Sequence, residues 1–198
     1  APGLAETDAF AAMFSRWGLD YARLPEGAPC ERARWANLRC QRMEATWDRL
    51  LALERPAVLR LDDEAGSFMV LMGSKGGEAL VLLAPDEPPR PVDEALKAAW
   101  TGEYVLLWRP PPGFPTKNVT LGARGRYVDW LRARLHEVLG VEGKVPAAGA
   151  AFDPALAELV KRFQRSKGLD VDGIVGPDTT IALNTLVLPG AVPDFSQD

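Results

Sequence analysis

Residues 152–186 read FDPALAELVKRFQRSKGLDVDGIVGPDTTIALNTL, and residues 121–140 ahead of them read LGARGRYVDWLRARLHEVLG. Val128, Leu131, Leu135 and Leu139 recur at helical spacing and make one apolar stripe. Leu156, Leu159, Val160 and Phe163 make a second, and Ile181 with the run 183–186 supplies a third. Asp153 stands where an N-cap belongs, with Pro154 in the first turn behind it, and Pro177 holds the matching position before the third helix. The spacing predicts three short helices, with a glycine-rich corner at residues 168–180 between the second and third.

The strongest interruption upstream is Arg109-Pro110-Pro111-Pro112-Gly113-Phe114-Pro115. Four prolines in seven residues suit neither a helix interior nor a central strand, so residues 110–115 are expected to form a stiff connector. The division expected is then a first domain over 1–109, the connector 110–115, a helical domain over 116–188 and a loosely held tail over 189–198.

The first domain is expected to be α+β, with helices first and an antiparallel sheet after them. Residues 7–17 place Phe10, Met13, Phe14 and Trp17 on one helical face, with Thr7 or Asp8 as cap and Gly18 as stop. Residues 44–54 repeat that pattern, and residues 92–100 read as a short helix. Strand-like runs fall at 57–61, 68–72, 79–83 and 104–108. Residues 73–77 (GSKGG) form a hairpin-grade turn, and the Pro-rich stretch 85–91 is expected to be a surface loop. Trp17, Trp35, Trp47, Trp100 and Trp108 all lie in this domain and are expected mostly in its core.

Charge and composition narrow the function classes. The net charge is −4, and from Thr116 onward the acidic and basic residues balance, so the excess sits in the first 115 residues. No basic block occurs, which argues against a nucleic-acid partner. No apolar run approaches the roughly 20 residues that span a bilayer. Cys30 and Cys40 have no further cysteine near them and the chain has one histidine, His136, so a structural zinc site lacks ligands. A disulfide is the preferred reading in an oxidising compartment, with two unrelated thiols as the alternative. His136 lies in the other domain from any candidate nucleophile, which leaves cysteine, serine or zinc hydrolysis without its base or its ligands. Asp62, Asp63 and Glu64 form an acidic run that reads as a solvated turn, and the acidic ligands around Asp170-Val171-Asp172-Gly173 are too few for a calcium loop. No cofactor and no metal are expected.

The 121–186 stretch resembles the common peptidoglycan-binding domain of bacterial envelope proteins. The corner can offer close backbone approach at Gly173 and Gly176, helix N–H groups near residues 177–180, and polar side chains at Gln164 and Asp172. Gln164, Asp172, Gly173, Ile174, Val175, Gly176 and Thr179 are the binding residues this expects. Lys161, Arg162, Arg165 and Lys167 add positive charge that suits an anionic polymer, or simply form a solvated face. Asp172-Gly173 likewise reads equally well as a structural turn.

The first domain resembles the papain-like peptidases that process bacteriocin leaders, in degenerate form. Where that family has its nucleophile in Asp-Cys-Gly, this sequence has Asp8-Ala9-Phe10. Where it has histidine before a Phe-Val-Val strand, this sequence has Ser67-Phe68-Met69-Val70. Its Asp-Pro pair meets Pro85-Asp86 in reverse order, and no glutamine precedes Gln41. Ala9, Ser67 and Asp86 are therefore expected to be degenerate catalytic positions in a domain reused for binding.

With Trp100-Thr101-Gly102-Glu103-Tyr104 and Trp108-Arg109-Pro110 between the two domains, the whole chain resembles the periplasmic part of the A component of the general (type II) secretion pathway. That resemblance implies a periplasmic, non-catalytic module that binds peptidoglycan and the B component of the same pathway. Through them it would help assemble or position the outer-membrane secretin, itself a further candidate partner. It also implies an upstream ATPase domain and membrane helix in the full-length protein. The alternative is a wall hydrolase or cysteine peptidase with a wall-targeting domain.

Overall fold

The structure is a computed structural model that describes residues 3–187 and 192–196. The chain forms two compact units: residues 1–109 together with 190–198, and residues 110–189. The first is mixed, helices with an antiparallel sheet, and the second is helical.

The first unit opens with α1 (Glu6–Arg16), a 3₁₀ turn (Tyr21–Arg23) and α2 (Pro29–Trp35). It continues through β1 (Arg39–Glu44), α3 (Trp47–Ala52), β2 (Ala57–Leu61), β3 (Phe68–Lys75), β4 (Glu78–Leu82), β5 (Arg90–Pro91), α4 (Glu94–Ala99) and β6 (Trp100–Trp108). The strands make one antiparallel sheet in the order β1-β6-β2-β3-β4-β5. Phe10, Met13 and Phe14 of α1 pack with Val58, Val70, Val105 and Leu107 on one face of it. Because strand side chains alternate between faces, Leu59, Met69, Leu71, Tyr104 and Leu106 point to the other face, where they are also buried.

Local signals placed β2 and the helix stops well. Gly18 takes φ +70° after α1 and its N–H bonds to Ser15 O at 2.9 Å. Several expectations differ from the structure. The cap of α1 is Ala5, without a side-chain bond, and Asp8 lies inside the first turn, where its charge favours the helix dipole. The helix expected over 44–54 is only α3, because Glu44 belongs to β1, a strand with no apolar alternation whose conformation comes from pairing with β6. The turn is tighter than expected: β3 and β4 extend to Lys75 and Glu78, leaving Gly76 and Gly77, both at positive φ, as a two-residue type I′-like turn. Part of the expected proline loop pairs as β5 with β4. The tail is not loose throughout its described part: Phe195 O accepts from Ser74 N at 2.7 Å, and Asp194 O accepts from Arg16. β3 outruns β2 at that end, so the Ser74 amide is open to the returning chain. Of the five tryptophans expected mostly in the core, Trp108 is buried, Trp17, Trp47 and Trp100 are half-buried, and Trp35 is 69% exposed.

Cys30 and Cys40 form a disulfide that ties α2 to β1. Arg55, 1% exposed, has its guanidinium 5.9 Å from the centre of the Trp17 ring, and burial lowers its pKa to about 10, so it stays charged at neutral pH.

The second unit is built from α5 (Arg126–Val138), α6 (Pro154–Ser166) and α7 (Pro177–Val187). Tyr127, Val128, Leu131, Leu135, Leu156, Val160, Phe163, Ile181 and Leu183 are its buried stripe residues, while Leu186 is 37% exposed. Residues 110–115 do more than space the units. Phe114 sets its ring edge-on to Tyr127 at 5.5 Å, which docks the proline-rich stretch onto the start of α5.

Candidate functional site

The corner between α6 and α7 is organised by one side chain, Gln164 of α6, which is 2% exposed. Its Nε2 donates to Asp172 Oδ1 at 2.9 Å, to Ile174 O at 2.9 Å and to Thr179 Oγ1 at 3.3 Å. Its Oε1 accepts from Gly173 N at 3.0 Å. A primary amide carries two donors and one carbonyl acceptor, and here all are committed to the loop. The helix before it closes on Gly168, at φ +65°, with Leu169 N donating to Gln164 O at 2.9 Å.

The loop that Gln164 grips then turns on its own atoms. Asp172 Oδ1 also accepts from Ile174 N at 2.8 Å, the hydrogen bond of an Asx turn. Gly173 sits at φ +73°, and a Cβ there would fall 3.1 Å from Lys161 Cε, so only glycine fits without displacing the lysine stem. Val175 exchanges two 2.9 Å backbone hydrogen bonds with Val119. A Cβ at Gly176 would meet Asn118 Oδ1 at 3.1 Å. The start of α7 is fastened by Thr180 Oγ1, which donates to Gly176 O at 2.7 Å and shares a 2.6 Å hydrogen bond with the buried Tyr127 hydroxyl. Burial holds that phenol neutral far above the usual tyrosine range.

All seven residues expected from the sequence thus lie together, but they divide by role. Gln164, Gly173, Val175 and Thr179 are buried. Asp172 and Ile174 face solvent, the latter 39% exposed, beside Val171 at 43%. Asp172 Oδ2 has no partner among the described residues. The α7 N-terminus already carries Asp178 in its first turn, which lowers its appeal to a ligand carboxylate. Of the cationic group, Lys161 is paired with Glu158 at 2.9 Å and Arg162 and Arg165 are exposed. The contributions of Asn118, Val119 and Tyr127 escaped sequence reasoning, since nothing in the local pattern links residues so distant along the chain.

The second helix start is fixed separately. Asp153 Oδ1 accepts from Leu156 N at 2.8 Å and lies 3.5 Å from Arg132 Nη1. The capping N–H, then Arg132, hold its carboxyl below the usual aspartate range.

In the first unit the three degenerate positions fall on different elements, although the segment before α1 is bonded to the start of β3 through Leu4 and Phe68. Ala9 is fully buried on α1 within the core. Ser67 lines an open cleft with Gly3, Leu4, Ala5, Glu6 and Arg60 and donates its hydroxyl to Asp63. Hydrogen bonds from the Ser67 hydroxyl and amide lower the pKa of Asp63. Asp86 is on an exposed turn away from that cleft lining. Both cysteines are in the disulfide, and His136 is on α5 of the other unit. Among the described residues no three His, Cys, Asp or Glu side chains are grouped to hold a metal, and no helix is long and apolar enough to cross a membrane.

A six-stranded antiparallel sheet against an opening helix, followed by three helices around a glycine-rich corner, defines a papain-like domain joined to a peptidoglycan-binding type of domain. Comparison with known proteins agrees: residues 4–110 match the family "GspA, peptidase C39-like domain", and residues 124–183 match the peptidoglycan binding domain family. The first match spans more than half the chain, and the chain belongs to the GspA family. It is 32% identical over 175 residues to general secretion pathway protein A of Aeromonas hydrophila, covering 88% of this chain and 31% of that protein. A second general secretion pathway protein A, from Escherichia coli K12, is 26% identical over 180 residues, with 91% and 36% covered. The chain therefore spans about a third of the length of the curated relatives it matches. A periplasmic domain of the EpsAB fusion protein of the Vibrio vulnificus type II secretion system shares the fold, with a TM-score of 0.53, 22% identity, and coverage of 95% of this chain and 81% of that one.

Proposed function

We propose that this chain is a non-catalytic periplasmic module of a type II secretion system that holds peptidoglycan through the corner at residues 168–180. The observation that carries the reading is Gln164, whose saturated amide holds the corner rigid and leaves Asp172, Ile174 and Val171 facing solvent. A preorganised loop of this kind presents a carboxylate oxygen and apolar surface to a ligand without an ordering cost on binding. In this reading Asp172, Ile174 and Val171 touch the wall, while Gln164, Gly173, Val175, Gly176 and Thr179 shape the loop. The disulfide suits an oxidising compartment.

The first unit serves protein contact, with the B component of the pathway as partner and secretin placement as the joint result. An ATPase domain and a membrane helix would belong to the remaining length of the full protein. The cysteines committed to a disulfide and the lack of any histidine in residues 1–109 support a domain without peptidase chemistry.

Co-sedimentation of the chain with purified sacculi tests this. The double variant Val171→Ser/Ile174→Ser should reduce pelleting severalfold at unchanged thermal stability, and Asp172→Asn, which keeps the Oδ1 acceptor of the turn but removes the charge, should reduce it as well. Pelleting that survives both changes would move the site elsewhere. Clearing of the sacculus suspension by the chain would replace the binding module with a hydrolase.

A further inference from the structure

Glu6, Arg60 and Phe68 of the first unit line two neighbouring depressions and so join them into one groove. The first is a pocket of about 130 Å³ between the start of α1 and the sheet. Phe10, Val58, Phe68 and Val105 give it apolar walls, and Glu6, Arg42, Arg60 and Glu103 surround them with charge of both signs. An apolar cavity of about 150 Å³ takes a benzene molecule, so this pocket takes one phenyl ring or branched aliphatic side chain. The second depression is a cleft of about 590 Å³. Gly3, Ala5, Ala65 and Gly66 line it with little side-chain bulk, which leaves room for an extended backbone. The cleft is held in shape by Leu4 and Phe68, which exchange backbone hydrogen bonds of 2.7 and 3.0 Å, and by Ser67 N, which donates to Asp63 Oδ1 at 2.8 Å.

Carboxylates dominate the cleft. Asp62, Asp63 and Glu64 are exposed and run directly into its lining at Ala65, and the exposed Glu6 lines it from α1. Arg60, the cation in that lining, lies 3.5 Å from Glu103 and already shares its charge there. In the pocket, Arg42 stands with Glu6 and Glu103. The acidic run at 62–64 is thus more than a solvated turn: it borders a preformed groove in the part of the chain that carries the net negative charge.

A ligand that satisfies this groove brings positive charge to the cleft and one large apolar group to the pocket. An extended polypeptide does both, since its successive side chains point in opposite directions. We propose that the groove docks an extended basic segment of a partner protein, with one large apolar side chain seated in the pocket and lysine or arginine beside it. This rests on the reading of the first unit as a protein-contact domain and says where on that unit the contact is made. A short segment with a single anchor buries little area, so its binding by itself is weak and sensitive to salt.

Fluorescence anisotropy of a fluorescein-labelled GGKFKGG peptide, titrated with the whole chain up to about 1 mM, tests this. The peptide should bind at least tenfold more tightly than GGEFEGG and severalfold more tightly than GGKSKGG, and added salt should weaken it. Glu6→Lys and Asp62→Lys/Glu64→Lys should each lower the affinity about tenfold. Glu6 also favours the α1 dipole, so the loop variant is the one that should melt with the parent, which separates lost binding from lost fold. Equal binding of GGEFEGG removes the charge argument, equal binding of GGKSKGG removes the pocket, and affinity that survives both charge reversals places the peptide elsewhere. Binding of the purified B component to the same chain is measured alongside. If it binds while no peptide does, the groove fails and the protein-contact reading stands; if neither binds, both fail.

Discussion

Replacing Gln164 by leucine is the sharpest test of how the corner is held. The side chain keeps nearly its volume but loses every polar contact. The Gly173 N–H, buried and bonded to Oε1 at 3.0 Å, is left without an acceptor, which costs about 1–3 kcal/mol. Loss of the bonds to Ile174 O and Thr179 Oγ1 adds about 1 kcal/mol each, and the exposed Asp172 bond adds less. The sum is about 3–5 kcal/mol. Total stability for a unit the size of residues 110–189 is about 4–12 kcal/mol, so the loss is severe. Hydrogen exchange followed by mass spectrometry on peptides covering 160–186 reads it directly. Protection there should fall by a factor of about a hundred to several thousand, while peptides from the β2–β3 hairpin are unaffected. Gln164→Glu sharpens the test: it keeps the acceptor for Gly173 but sets a carboxylate against Asp172 Oδ1 and Ile174 O, so part of its damage should disappear on acidification. A leucine variant with parental protection at the corner would show that Gln164 does not hold the loop.

Three further outcomes follow from the geometry. Gly173→Ala should lower the stability of the second unit by about 1–2 kcal/mol, because alanine disfavours φ +73°, as urea unfolding would show. Asp153→Ala should cost about 1 kcal/mol through the lost cap at neutral pH. The folded-state pKa of Asp153 is depressed, so its contribution is present above the ordinary aspartate value near 4 and disappears as pH falls through the lower folded value. The parent and the variant should therefore converge in urea midpoint as pH drops below about 4. Replacing both Cys30 and Cys40 by serine should lower the stability of the first unit by about 3 kcal/mol in the chain-entropy model, and leave sacculus pelleting intact.

Much of the architecture was legible because its causes are local. Asp153 and Pro154 start α6 through bonds and backbone angles set within four residues, and the apolar stripes of α5 and α6 repeat at the helix period. β2 was readable from an apolar run with a polar residue at one position, and Gly173 from its place in a turn. That the seven expected residues neighbour one another was also legible from sequence, since they run from the last turn of α6 through the loop into the first turn of α7.

Only the tertiary structure decided what those residues do. Gln164 reads as a ligand contact until burial and four partners show its amide committed to the fold. The closure of the corner by Val119 and Asn118, and the return of Phe195 to Ser74, join residues with no local sign of each other. β1 belongs with these: its residues RCQRME carry no strand pattern, and they become a strand because β6 offers a row of unpaired amides beside them. The sequence by itself determined where helices begin, where turns fall and which family the chain resembles, because those depend on short-range geometry. Which polar groups remain free to meet a ligand or a second chain depended on every partner across the fold, and that only the folded arrangement decides.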